Sequence, residues 1–495
     1  MTKKILFCLN ADFTHFSIAY YLQQKLDCEF YALIDITNKP KKFFDSQQLV
    51  KFKKVWYFHD HIKKEKQIDT DYLQNLEEKY DVNLWNLIIN ERIFYRFFDF
   101  HKFTRTEMLS IVQQSSMLYE KIFDEVNFDF VVTEAPVSHH IELLTRMSSK
   151  LGINNLILSM PKLAGKAMIT KQIDHFDEKN NFDNIETKNR TAEELRNYLM
   201  KRLPDDAWKN YWEKQSQKNS SNFNSKLDYI TSPNEHEKTH YTYYGRTKLN
   251  VSIFTLKNSI KKYMRKKYIE NNLESDVDTT IPYVYFPMSV DMERNLLIDS
   301  PMYTNQIEII RIISKSLPVG YKLYVKENPA QSSREWRSKA DYNEIKNIPN
   351  VTLIKPSVNG RKLIQNSSLV ISIAGTSSLE AAFYEKPSIV FGKVIYNMLP
   401  SVQKVGNIQE LPELIKKSLK IKVEISDLDK FLQLYENNTL SFDMIEFVNR
   451  FNHEFYYDAG LFDVNIDETK LNDFLIKQED FFSDLISGYI KKINP

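Results

Sequence analysis

The sequence predicts an α/β fold with two Rossmann-like domains, a helical insertion between them and further helices at the C-terminus. Short apolar runs alternate with amphipathic helices in residues 4–160 and again in 283–400, a pattern typical of parallel sheets with crossover helices. Residues 162–280 are instead polar and rich in Lys, Asn and Glu. The chain has 495 residues, which is enough for two or more domains.

The composition excludes several classes of protein. A net charge of +2 provides no strong field for nucleic acid. Two cysteines exclude a disulfide framework and a four-cysteine zinc site. Glycine-rich nucleotide loops are not expected, because neither a GxGxxG nor a Walker pattern occurs. No apolar run approaches the roughly 18 residues of a membrane span, so we expect a cytoplasmic protein.

The first predicted domain covers residues 1–161 and begins with a βαβ pattern. Its strands are predicted at 4–9, 28–35, 128–136 and 154–161, and its helices at 17–26, within 72–124 and at 139–152. The insertion and linker, 162–280, has predicted helices at 191–203, 205–219 and 255–272. The first of these opens with Thr191 three residues before Glu194, which is the spacing of a capping box.

The second predicted domain covers residues 281–410, where the α/β pattern resumes. Its strands are predicted at 283–288, 321–329, 351–355, 368–374 and 387–392, and its helices at 305–317, 360–367 and 377–384. The remaining residues, 411–495, are predicted to be a mainly helical region.

A small-residue turn, Gly375-Thr376-Ser377-Ser378, lies between predicted strand 368–374 and the next helix. Ligands bind at the carboxyl ends of parallel strands, and the free N–H groups and hydroxyls of such a turn suit a phosphate or carboxylate. Glu380, about one turn later, could accept a hydrogen bond from a ribose hydroxyl or simply cap the helix. A plain helix cap with a tight turn fits the same residues.

Two further strand ends in this domain carry polar groups. Lys326, Glu327 and Asn328 end strand 321–329 at a proline, and Glu293 and Arg294 follow strand 283–288. Three such ends favour a crevice for an anionic ligand over three unrelated caps. The alternative is that these side chains are solvated surface charges.

The motifs of 283–400, taken together, resemble the capsular polysaccharide synthesis (Kdo-transferase-like) glycosyltransferase family. A strand ending in proline, an acidic residue, "NQ", "LYVKENP", "SIAGTSSLE" and "KPSIVFG" follow one another in the family's order. The first half resembles the family more weakly, through Trp85–Arg92 and Glu134. The resemblance implies a B-type glycosyltransferase fold, in which two Rossmann-like domains face a cleft that holds a nucleotide-sugar.

The resemblance also implies which residues line the donor site. They are Glu293, Lys326, Ser372, Gly375, Thr376, Ser377 and Glu380, and Arg294, Asn328 and Ser378 complete the predicted nucleotide-binding set. Two positions depart from the family's pattern. Asn328 stands where the family usually has histidine, and asparagine can donate a hydrogen bond to phosphate but cannot carry a proton or a charge. Met292-Glu293 replaces the family's Pro-Glu.

Glycosyl transfer needs help for the leaving phosphate and, in inverting enzymes, a base for the acceptor hydroxyl. Lys326 is the predicted leaving-group residue. The candidate bases lie at strand ends of the first domain, and each could also be a cap or a surface group; they are Asp12, His15, Glu134 and His139.

Glu91 and Arg92 match the acidic-Arg pair of the family and are assigned to the acceptor side. They could grip an anionic acceptor, although a salt bridge within a helix explains them as well.

No metal site and no cofactor are predicted. The Asp-x-Asp pattern at Asp69–Asp71 precedes a predicted helix, and we expect it to cap that helix. The basic stretch 257–267 suits acidic phospholipid or a phosphorylated lipid acceptor, and hence peripheral contact with the inner face of a membrane. A solvated linker helix is the alternative.

The sequence therefore predicts a metal-independent glycosyltransferase that uses a CMP- or UDP-linked sugar to build a surface or capsular polysaccharide or a glycolipid. Its expected partners are the nucleotide-sugar donor and a glycan or glycolipid acceptor. Two alternatives stay open. A sugar-nucleotide epimerase of the same fold would need acidic and histidine residues packed against the sugar. A non-catalytic nucleotide-sugar-binding or scaffold subunit of a polysaccharide assembly complex is kept open by Asn328.

Overall fold

The computed structural model describes residues 2–64, 67–96, 99–177, 182–203, 240–331 and 336–494. The predicted helix 205–219 lies outside these residues. The chain forms two compact units. Unit 1 contains the described residues of Met1–Ile173, Gln217–Ser252 and Thr439–Pro495, and unit 2 contains those of Asp174–Ser216 and Ile253–Asn438. The helices that follow Thr439 thus belong to unit 1, whereas those between 411 and 437 belong to unit 2. The boundaries predicted for the four domains stay predictions.

The structure contains two sets of strands, one for each unit. They are β1 (Lys3–Leu9), β2 (Cys28–Ile34), β3 (Phe52–Tyr57), β4 (Phe130–Glu134), β5 (Asn154–Ser159), β6 (Met168–Thr170), β7 (Tyr283–Pro287), β8 (Lys322–Lys326), β9 (Val351–Ile354), β10 (Leu369–Ser372), β11 (Ser388–Val390) and β12 (Val402–Lys404). The first six form the sheet of unit 1 and the last six that of unit 2.

The helices connect and cover these strands. In chain order they are α1 (Thr14–Gln23), α2 (Asn38–Ser46), α3 (Thr70–Tyr80), α4 (Leu84–Asn90), α5 (Arg105–Glu125), α6 (His139–Lys150), α7 (Ala192–Arg202), α8 (Lys248–Asn272), α9 (Arg294–Leu297), α10 (Gln306–Ser316), α11 (Lys339–Lys346), α12 (Gly360–Asn366), α13 (Ser377–Phe383), α14 (Leu411–Ser418), α15 (Ile425–Asn437), α16 (Met444–Phe455), α17 (Glu468–Lys477) and α18 (Glu479–Ile493). No helix in the described ranges is long and apolar enough to cross a membrane.

Both sheets have the strand order of a dinucleotide-binding fold. In unit 1 the order is β3-β2-β1-β4-β5-β6, with β6 antiparallel to β5, and in unit 2 it is β12-β11-β10-β7-β8-β9, all parallel. Each order reverses between the first and fourth strands of its sheet. Ligands bind at this reversal, outside the carboxyl ends of the strands. The prediction of two Rossmann-like domains is confirmed.

The alternation of side chains along β1 explains why the sheet of unit 1 is covered on both faces. Ile5 and Phe7 pack in one core with α1, α2 and the C-terminal helices, where the rings of Phe13 and Phe451 stack with centroids 4.8 Å apart. Leu6 and Cys8 pack in a second core with α3, α5 and α6. Such two-sided burial accounts for the continuous apolar run at 5–9.

Unit 2 is built in the same way. Val284 and Phe286 of β7 pack with α10, α11 and α14, whereas Tyr283 and Tyr285 pack with α12 and α13. The predicted capping box of α7 is confirmed, because the Thr191 and Glu194 side chains each accept from the other's backbone N–H. In unit 1, Asp69 caps α3 as predicted.

Most predicted strands form within a few residues of their expected positions, but others were missed. β3 and β12 lie at the edges of their sheets, and β6 is a three-residue strand inside the predicted insertion. β3 escapes prediction because Lys53 and Lys54 interrupt its apolar pattern. Exposed lysines are common on edge strands, where they discourage pairing with other chains.

Candidate functional site

The predicted donor residues of unit 2 stand in register at the strand ends. Pro287 of β7 pairs with Lys326 of β8, and Val370 pairs with Tyr285, which brings Ser372 level with Pro287. Adjacent strands lie about 4.8 Å apart, so Ser372 and Lys326 stand roughly 10 Å apart on either side of β7. The β7–β10 reversal of the strand order lies between them.

Lys326 is a buried cation. Its residue is 6% exposed, and burial lowers the pKa of its ammonium to about 8, although the nearby charge of Glu327 opposes the shift. Among the described residues, no side chain forms an ion pair with this ammonium. A buried charge without a partner is costly, and sites that bind an anion are where such a cost is tolerated.

The neighbouring carboxylate is already engaged elsewhere. Glu327 Oε2 lies 2.9 Å from Arg337 Nε and accepts a hydrogen bond from Tyr342 Oη at 3.0 Å. Arg337 also forms an ion pair with Asp291 and donates to Ser289 O at 3.0 Å. This buried network ties the loops after β7 and β8 together.

Sequence reasoning assigned no role to Asp291 or Arg337. Their only signal was an acidic residue after the first strand and an arginine beyond the second, with no spacing that would mark a pair.

The small-residue turn follows β10 as predicted, and part of it is occupied by its own contacts. The hydroxyls of Ser372 and Ser378 are 2.7 Å apart and buried, and Gly375 N donates to Ser372 Oγ at 3.3 Å. Thr376 Oγ1 lies 3.4 Å from Glu380 Oε1. α13 begins at Ser377 and has only seven residues, without a side-chain cap at Thr376. Its dipole is therefore a small contribution. The backbone N–H and carbonyl of Gly375 both have partners, since the carbonyl accepts from the Tyr396 hydroxyl, so the feature that would admit a ligand is the space beside Gly375 that a side chain would fill.

Gly375 has room where a side chain would go. A Cβ atom added there would lie 3.7 Å from the Ser372 side chain, an ordinary contact. The fold alone does not require glycine at this position, whereas close approach of a ligand to the backbone would.

The remaining predicted donor residues differ in what they touch. Arg294 Nη1 pairs with Asp299 Oδ2 at 2.6 Å, which occupies part of its charge. Glu293 precedes α9, and Asn328 Oδ1 accepts from Ala330 N at 2.9 Å. Glu380 lies 3.8 Å from Arg361 Nη2.

Unit 1 contains a cavity of about 330 Å³ at the carboxyl ends of its parallel strands. It is lined by loops after β1, β2, β3 and β4 and by the segment that begins at His240. Its polar lining includes Asn10, Asp35, His59, Thr133, Glu134, Ser138, His139, His140, His240 and Thr242. Two of the four predicted base candidates, Glu134 and His139, are therefore brought together here.

Glu134 stands at the end of β4. Burial, and then the charge of Asp12, raise the pKa of its carboxyl to about 8, while a hydrogen bond from Asn10 opposes the rise. A carboxyl group with a pKa near neutrality suits acid–base chemistry.

Asp12 and His15 have more local contacts. Asp12 Oδ1 accepts from Thr14 N at 2.8 Å, which caps the turn before α1. His15 lies in α1 and is 1% exposed, and burial lowers the pKa of its imidazole. Neither residue lines the cavity.

Glu91 binds His139 instead of forming a salt bridge within its helix. Its Oε2 accepts from His139 N at 2.7 Å and lies 3.1 Å from His139 Nδ1. Burial disfavours the charge of Glu91, but the hydrogen bond and charge of His139 lower its pKa to about 2. The Arg92 guanidinium donates to Val137 O. The other ring nitrogen of His139, Nε2, is buried with no hydrogen-bond partner in the described residues.

Asp35 and three histidines form a second cluster in the same cavity. His59 Nε2 lies 2.5 Å from Asp35 Oδ1, and His140 Nε2 lies 2.9 Å from Asp35 Oδ2. The rings of His59 and His240 stack with centroids 3.4 Å apart. Burial opposes ionisation of Asp35, but the two imidazoles on its oxygens hold its pKa well below the usual range.

Sequence reasoning missed this cluster for identifiable reasons. Asp35 ends a predicted strand, so the strand-end rule used elsewhere would have found it. His59 follows β3, which was not predicted, and His240 follows no pattern that distinguishes it.

Comparison with known proteins supports the sequence-based resemblance. The family model described as "Capsule polysaccharide biosynthesis protein" matches residues 190–404, which include Lys326 and the small-residue turn. The match confirms the resemblance to that family. No curated protein shows significant similarity to the chain.

Several solved structures match the chain at low similarity. A UDP-GlcNAc 2-epimerase from Methanocaldococcus jannaschii, in complex with UDP-GlcNAc and UDP, has 11% identity and a TM-score of 0.25 over 88% of this chain and 99% of that one. A KpsC β-Kdo 2,4 transferase from Thermosulfurimonas dismutans has 11% identity and a TM-score of 0.29 over 67% and 94%. The β-Kdo 2,7 transferase from the same organism has 10% and 0.30 over 70% and 90%. Similarity at this level carries no information on activity.

Proposed function

We propose that the chain is a glycosyltransferase that uses a CMP- or UDP-linked sugar in the biosynthesis of a surface or capsular polysaccharide or a glycolipid. The match of residues 190–404 to the capsule polysaccharide biosynthesis family supports the pathway. The buried ammonium of Lys326, at the carboxyl end of β8 and without an ion-pair partner among the described residues, is the observation that carries the proposal.

The donor phosphates would lie across the strand ends of unit 2. Lys326 would face a phosphate oxygen directly, and the backbone of Gly375 would approach another across β7. A phosphate at Lys326 would supply the counter-charge that Glu327 does not, because Glu327 is bound to Arg337 and Tyr342. The donor site then needs no metal ion, because the lysine supplies the positive charge.

The transfer step is a substitution at the anomeric carbon of the donor sugar. The acceptor oxygen bonds to the anomeric carbon while the bond from that carbon to the phosphate oxygen breaks. Lys326 stabilises the negative charge that collects on the departing nucleotide. In an inverting reaction the acceptor proton passes to a base, for which Glu134 and His139 are the candidates that line the cavity of unit 1.

Asn328 affects the donor side. Its Oδ1 is used in the turn by Ala330 N, so its NH2 group is the part that could donate to phosphate. Asn328 cannot supply the proton or the positive charge that a histidine would. In the proposed mechanism, Lys326 therefore supplies all the positive charge that faces the leaving phosphate.

A second candidate function is a sugar-nucleotide epimerase. The observation that favours it is the concentration of acid and base groups in the cavity of unit 1, where Glu134, Asp35 and several imidazoles line one space. An epimerase moves a proton or a leaving group on the sugar itself and therefore needs such groups without an acceptor.

Ligand-induced thermal stabilisation tests the proposal. The purified full chain is melted with CMP, UDP, GDP and their sugar conjugates, alongside Lys326→Met and, as a matched control, Lys315→Met on the exposed face of α10. A ligand at a hundredfold its dissociation constant adds about 2.7 kcal/mol of stability. We expect one nucleotide class to stabilise the wild type and the control but not Lys326→Met.

The products then separate the candidates. With the stabilising donor alone, an epimerase yields an isomerised nucleotide-sugar, whereas a transferase releases nucleotide only when an acceptor glycan is present. Nucleotide binding with neither product would support the non-catalytic subunit. Absence of stabilisation by every nucleotide would refute the donor site.

We further propose that the acceptor is lipid-linked and that α8 touches an anionic membrane surface. Within 257–267 the exposed Ile260, Tyr263 and Met264 recur at helical spacing. They are flanked by exposed lysines, among them Lys257 and Lys266. Apolar residues beside lysines on one helix suit the boundary between acyl chains and anionic headgroups.

Vesicle sedimentation tests this contact. We expect the chain to sediment with phosphatidylserine vesicles but not with phosphatidylcholine vesicles, and less at high salt. Replacing Ile260 and Tyr263 by Ser should reduce sedimentation without altering nucleotide binding. Equal sedimentation of wild type and variant would contradict the contact.

A further inference from the structure

Three side chains from distant parts of the chain converge in the cavity of unit 1. Asp35 follows β2, His59 lies in the short helix Phe58–His61 after β3, and His240 precedes a second short helix, Tyr241–Tyr243. One ligand atom from each lies within 4.8 Å of the other two. Both histidines are buried. We propose that Asp35, His59 and His240 bind one divalent transition-metal ion, with zinc(II) as the preferred ion.

The donor set decides the class of metal. Two imidazole nitrogens and one carboxylate oxygen suit zinc and its neighbours, whereas calcium and magnesium prefer oxygen donors throughout. In a zinc site, each of the three ligand atoms would lie about 2.0–2.2 Å from the ion.

The two histidine rings are arranged as neighbouring ligands of one ion. Their centroids are 3.4 Å apart and their planes differ by 27°, so the rings are stacked, and one ligand atom of each lies within 4.8 Å of the other. Two protonated imidazoles at this distance would repel each other. A metal ion requires the neutral form of both, which removes the repulsion.

Neighbouring groups orient two of the ligands. His140 Nε2 lies 2.9 Å from Asp35 Oδ2, so the oxygen offered to the ion is Oδ1, which lies 2.5 Å from His59 Nε2. Thr242 Oγ1 lies 2.5 Å from His240 Nδ1 and 3.2 Å from Nε2, and the Thr242 backbone N–H donates to Nδ1. Ligation through Nε2 requires the ring proton on Nδ1, where the threonine hydroxyl can accept it, and this proton replaces the hydrogen bond from the backbone N–H. Hydrogen bonds of this kind fix ligand orientation in metal sites.

Three protein ligands leave a fourth position of a tetrahedral ion open. Asp35, His59 and His240 all line the cavity of about 330 Å³, together with Glu134 and His139, so a ligand at the fourth position would come from this cavity. An open position beside polar side chains distinguishes zinc sites that bind a substrate or water from purely structural sites.

The inference departs from the expectation of no metal, which rested on the interpretation of Asp69–Asp71 as a helix cap and on the presence of only two cysteines. It does not depend on the proposed donor site. Its test measures metal content and can succeed or fail whatever nucleotide the chain binds.

The experiment is equilibrium dialysis of the full chain, stripped with chelator, against buffered zinc(II), with bound metal measured by elemental analysis. Cobalt(II) loaded in parallel reports tetrahedral geometry through its visible absorption. The variants are Asp35→Asn, His59→Gln and His240→Gln. The control is His453→Gln, an exposed histidine of α16 paired with Asp458.

We expect one zinc per chain in the wild type and the control, and at least a hundredfold weaker binding in each ligand variant. His140→Gln, which removes only an orienting hydrogen bond, should weaken binding by about 10–100-fold and keep the cobalt spectrum. Far-UV circular dichroism of each variant verifies that it is folded.

Two outcomes would overturn the proposal. One is less than a tenth of an equivalent of zinc, cobalt, iron(II) or manganese(II) in the folded wild type. The other is full zinc binding in folded Asp35→Asn and His240→Gln, which would place the metal elsewhere. If one variant does not fold, the other two decide the result.

Discussion

Glu91 Oε2 accepts two hydrogen bonds from His139, one from its backbone N–H at 2.7 Å and one from its ring Nδ1 at 3.1 Å. Both side chains are almost fully buried. The backbone bond fixes the start of α6, and the ring bond selects the tautomer with its proton on Nδ1. The lone pair of His139 is therefore on Nε2, which makes Glu91 a positioning residue for His139.

The first prediction replaces this carboxylate by its isosteric amide. Glu91→Gln keeps the shape but loses the charge that holds the ring, so we expect kcat to fall about 10²-fold while KM changes little. The control is Glu142→Gln on α6, the helix that begins at His139. The partner of Glu142 is Arg146. Steady-state kinetics and thermal unfolding measure both. A wild-type kcat in a folded Glu91→Gln protein would remove His139 from the mechanism.

The second prediction concerns the stability cost of Lys326. Burial lowers the pKa of this lysine from 10.5 to about 8, so the charged form at pH 7 destabilises the folded state. A shift of this size corresponds to about 3 kcal/mol. We expect Lys326→Met to be more stable than the wild type by that order at pH 7, although it binds no nucleotide.

The sign of the effect determines its pH dependence. The unfolded state keeps its proton up to about pH 10.5, while the folded state releases it near 8. The free energy of unfolding of the wild type therefore increases relative to that of the variant as the pH rises through this window. The stability advantage of Lys326→Met then disappears. Urea unfolding at pH 7 and 10 measures it, with Lys315→Met as the control. A Lys326→Met protein less stable than wild type at pH 7 would contradict the unpaired buried charge.

The third prediction uses two glycines with opposite surroundings. A Cβ atom at Gly375 has room, whereas one at Gly392 would lie 2.2 Å from Ser300 Oγ. Gly375→Ala should leave the free energy of unfolding within about 1 kcal/mol of wild type, and Gly392→Ala should cost about 1–3 kcal/mol.

Ligand binding should reverse this order. We expect Gly375→Ala to lose at least tenfold in nucleotide affinity, because a methyl group blocks approach to the backbone, and Gly392→Ala to retain its affinity. Isothermal titration with the nucleotide identified by thermal shift measures both. Unchanged affinity in Gly375→Ala would move the phosphate away from the turn.

The fourth prediction concerns Glu134. Its pKa is raised from 4.5 to about 8 by burial and by Asp12, with Asp35 adding to the rise and Asn10 and Arg92 opposing it. As a base it acts when ionised, so kcat/KM should increase as the pH rises through about 8. Glu134→Gln should lower kcat by about 10²–10⁴-fold.

The stability of the same variant should change in the opposite direction. Because the folded pKa exceeds the unfolded one, the carboxyl of Glu134 destabilises the protein increasingly from pH 4.5 to about 8. Glu134→Gln should therefore be more stable than wild type at pH 8 and equal to it at pH 4. Thermal unfolding at the two values provides the comparison, and a less stable variant at pH 8 would contradict the buried, raised carboxyl.

The sequence was informative where the chemistry is local. Lys326 and the turn at Gly375 were found because each follows a strand whose apolar run is unbroken, and because their order resembles a known family. The capping box at Thr191 and the cap at Asp69 were found because a cap depends only on residues three apart.

The remaining features depend on contacts between distant residues. Phe451 covers the sheet of unit 1 beside Phe13, yet nothing in the polar pattern of α16 identifies which sheet it covers. His59 lies beside His240 because it follows β3, an edge strand. The lysines of β3 interrupt its apolar pattern, so the sequence does not predict the strand. The Glu91–His139 pair likewise joins two segments through a buried contact that neither segment encodes alone.

The last prediction concerns the buried network that fixes the strand ends of unit 2. Arg337 bridges Glu327 and Asp291 and is almost completely buried, so its removal leaves two carboxylates without their counter-charge. We expect Arg337→Met to cost about 3–5 kcal/mol in the free energy of unfolding. The matched control is Arg311→Met, because Arg311 pairs with Glu308 and Glu344 at a half-exposed site where ion pairs contribute at most about 1 kcal/mol.

A double variant shows whether the cost comes from the stranded charge. Adding Glu327→Gln to Arg337→Met removes one of the two uncompensated carboxylates, so part of the lost stability should return. Urea unfolding of the two single variants and the double variant measures this coupling. If Arg337→Met were no more destabilising than Arg311→Met, the loops after β7 and β8 would be held by packing alone, and the position of Lys326 would not depend on the network.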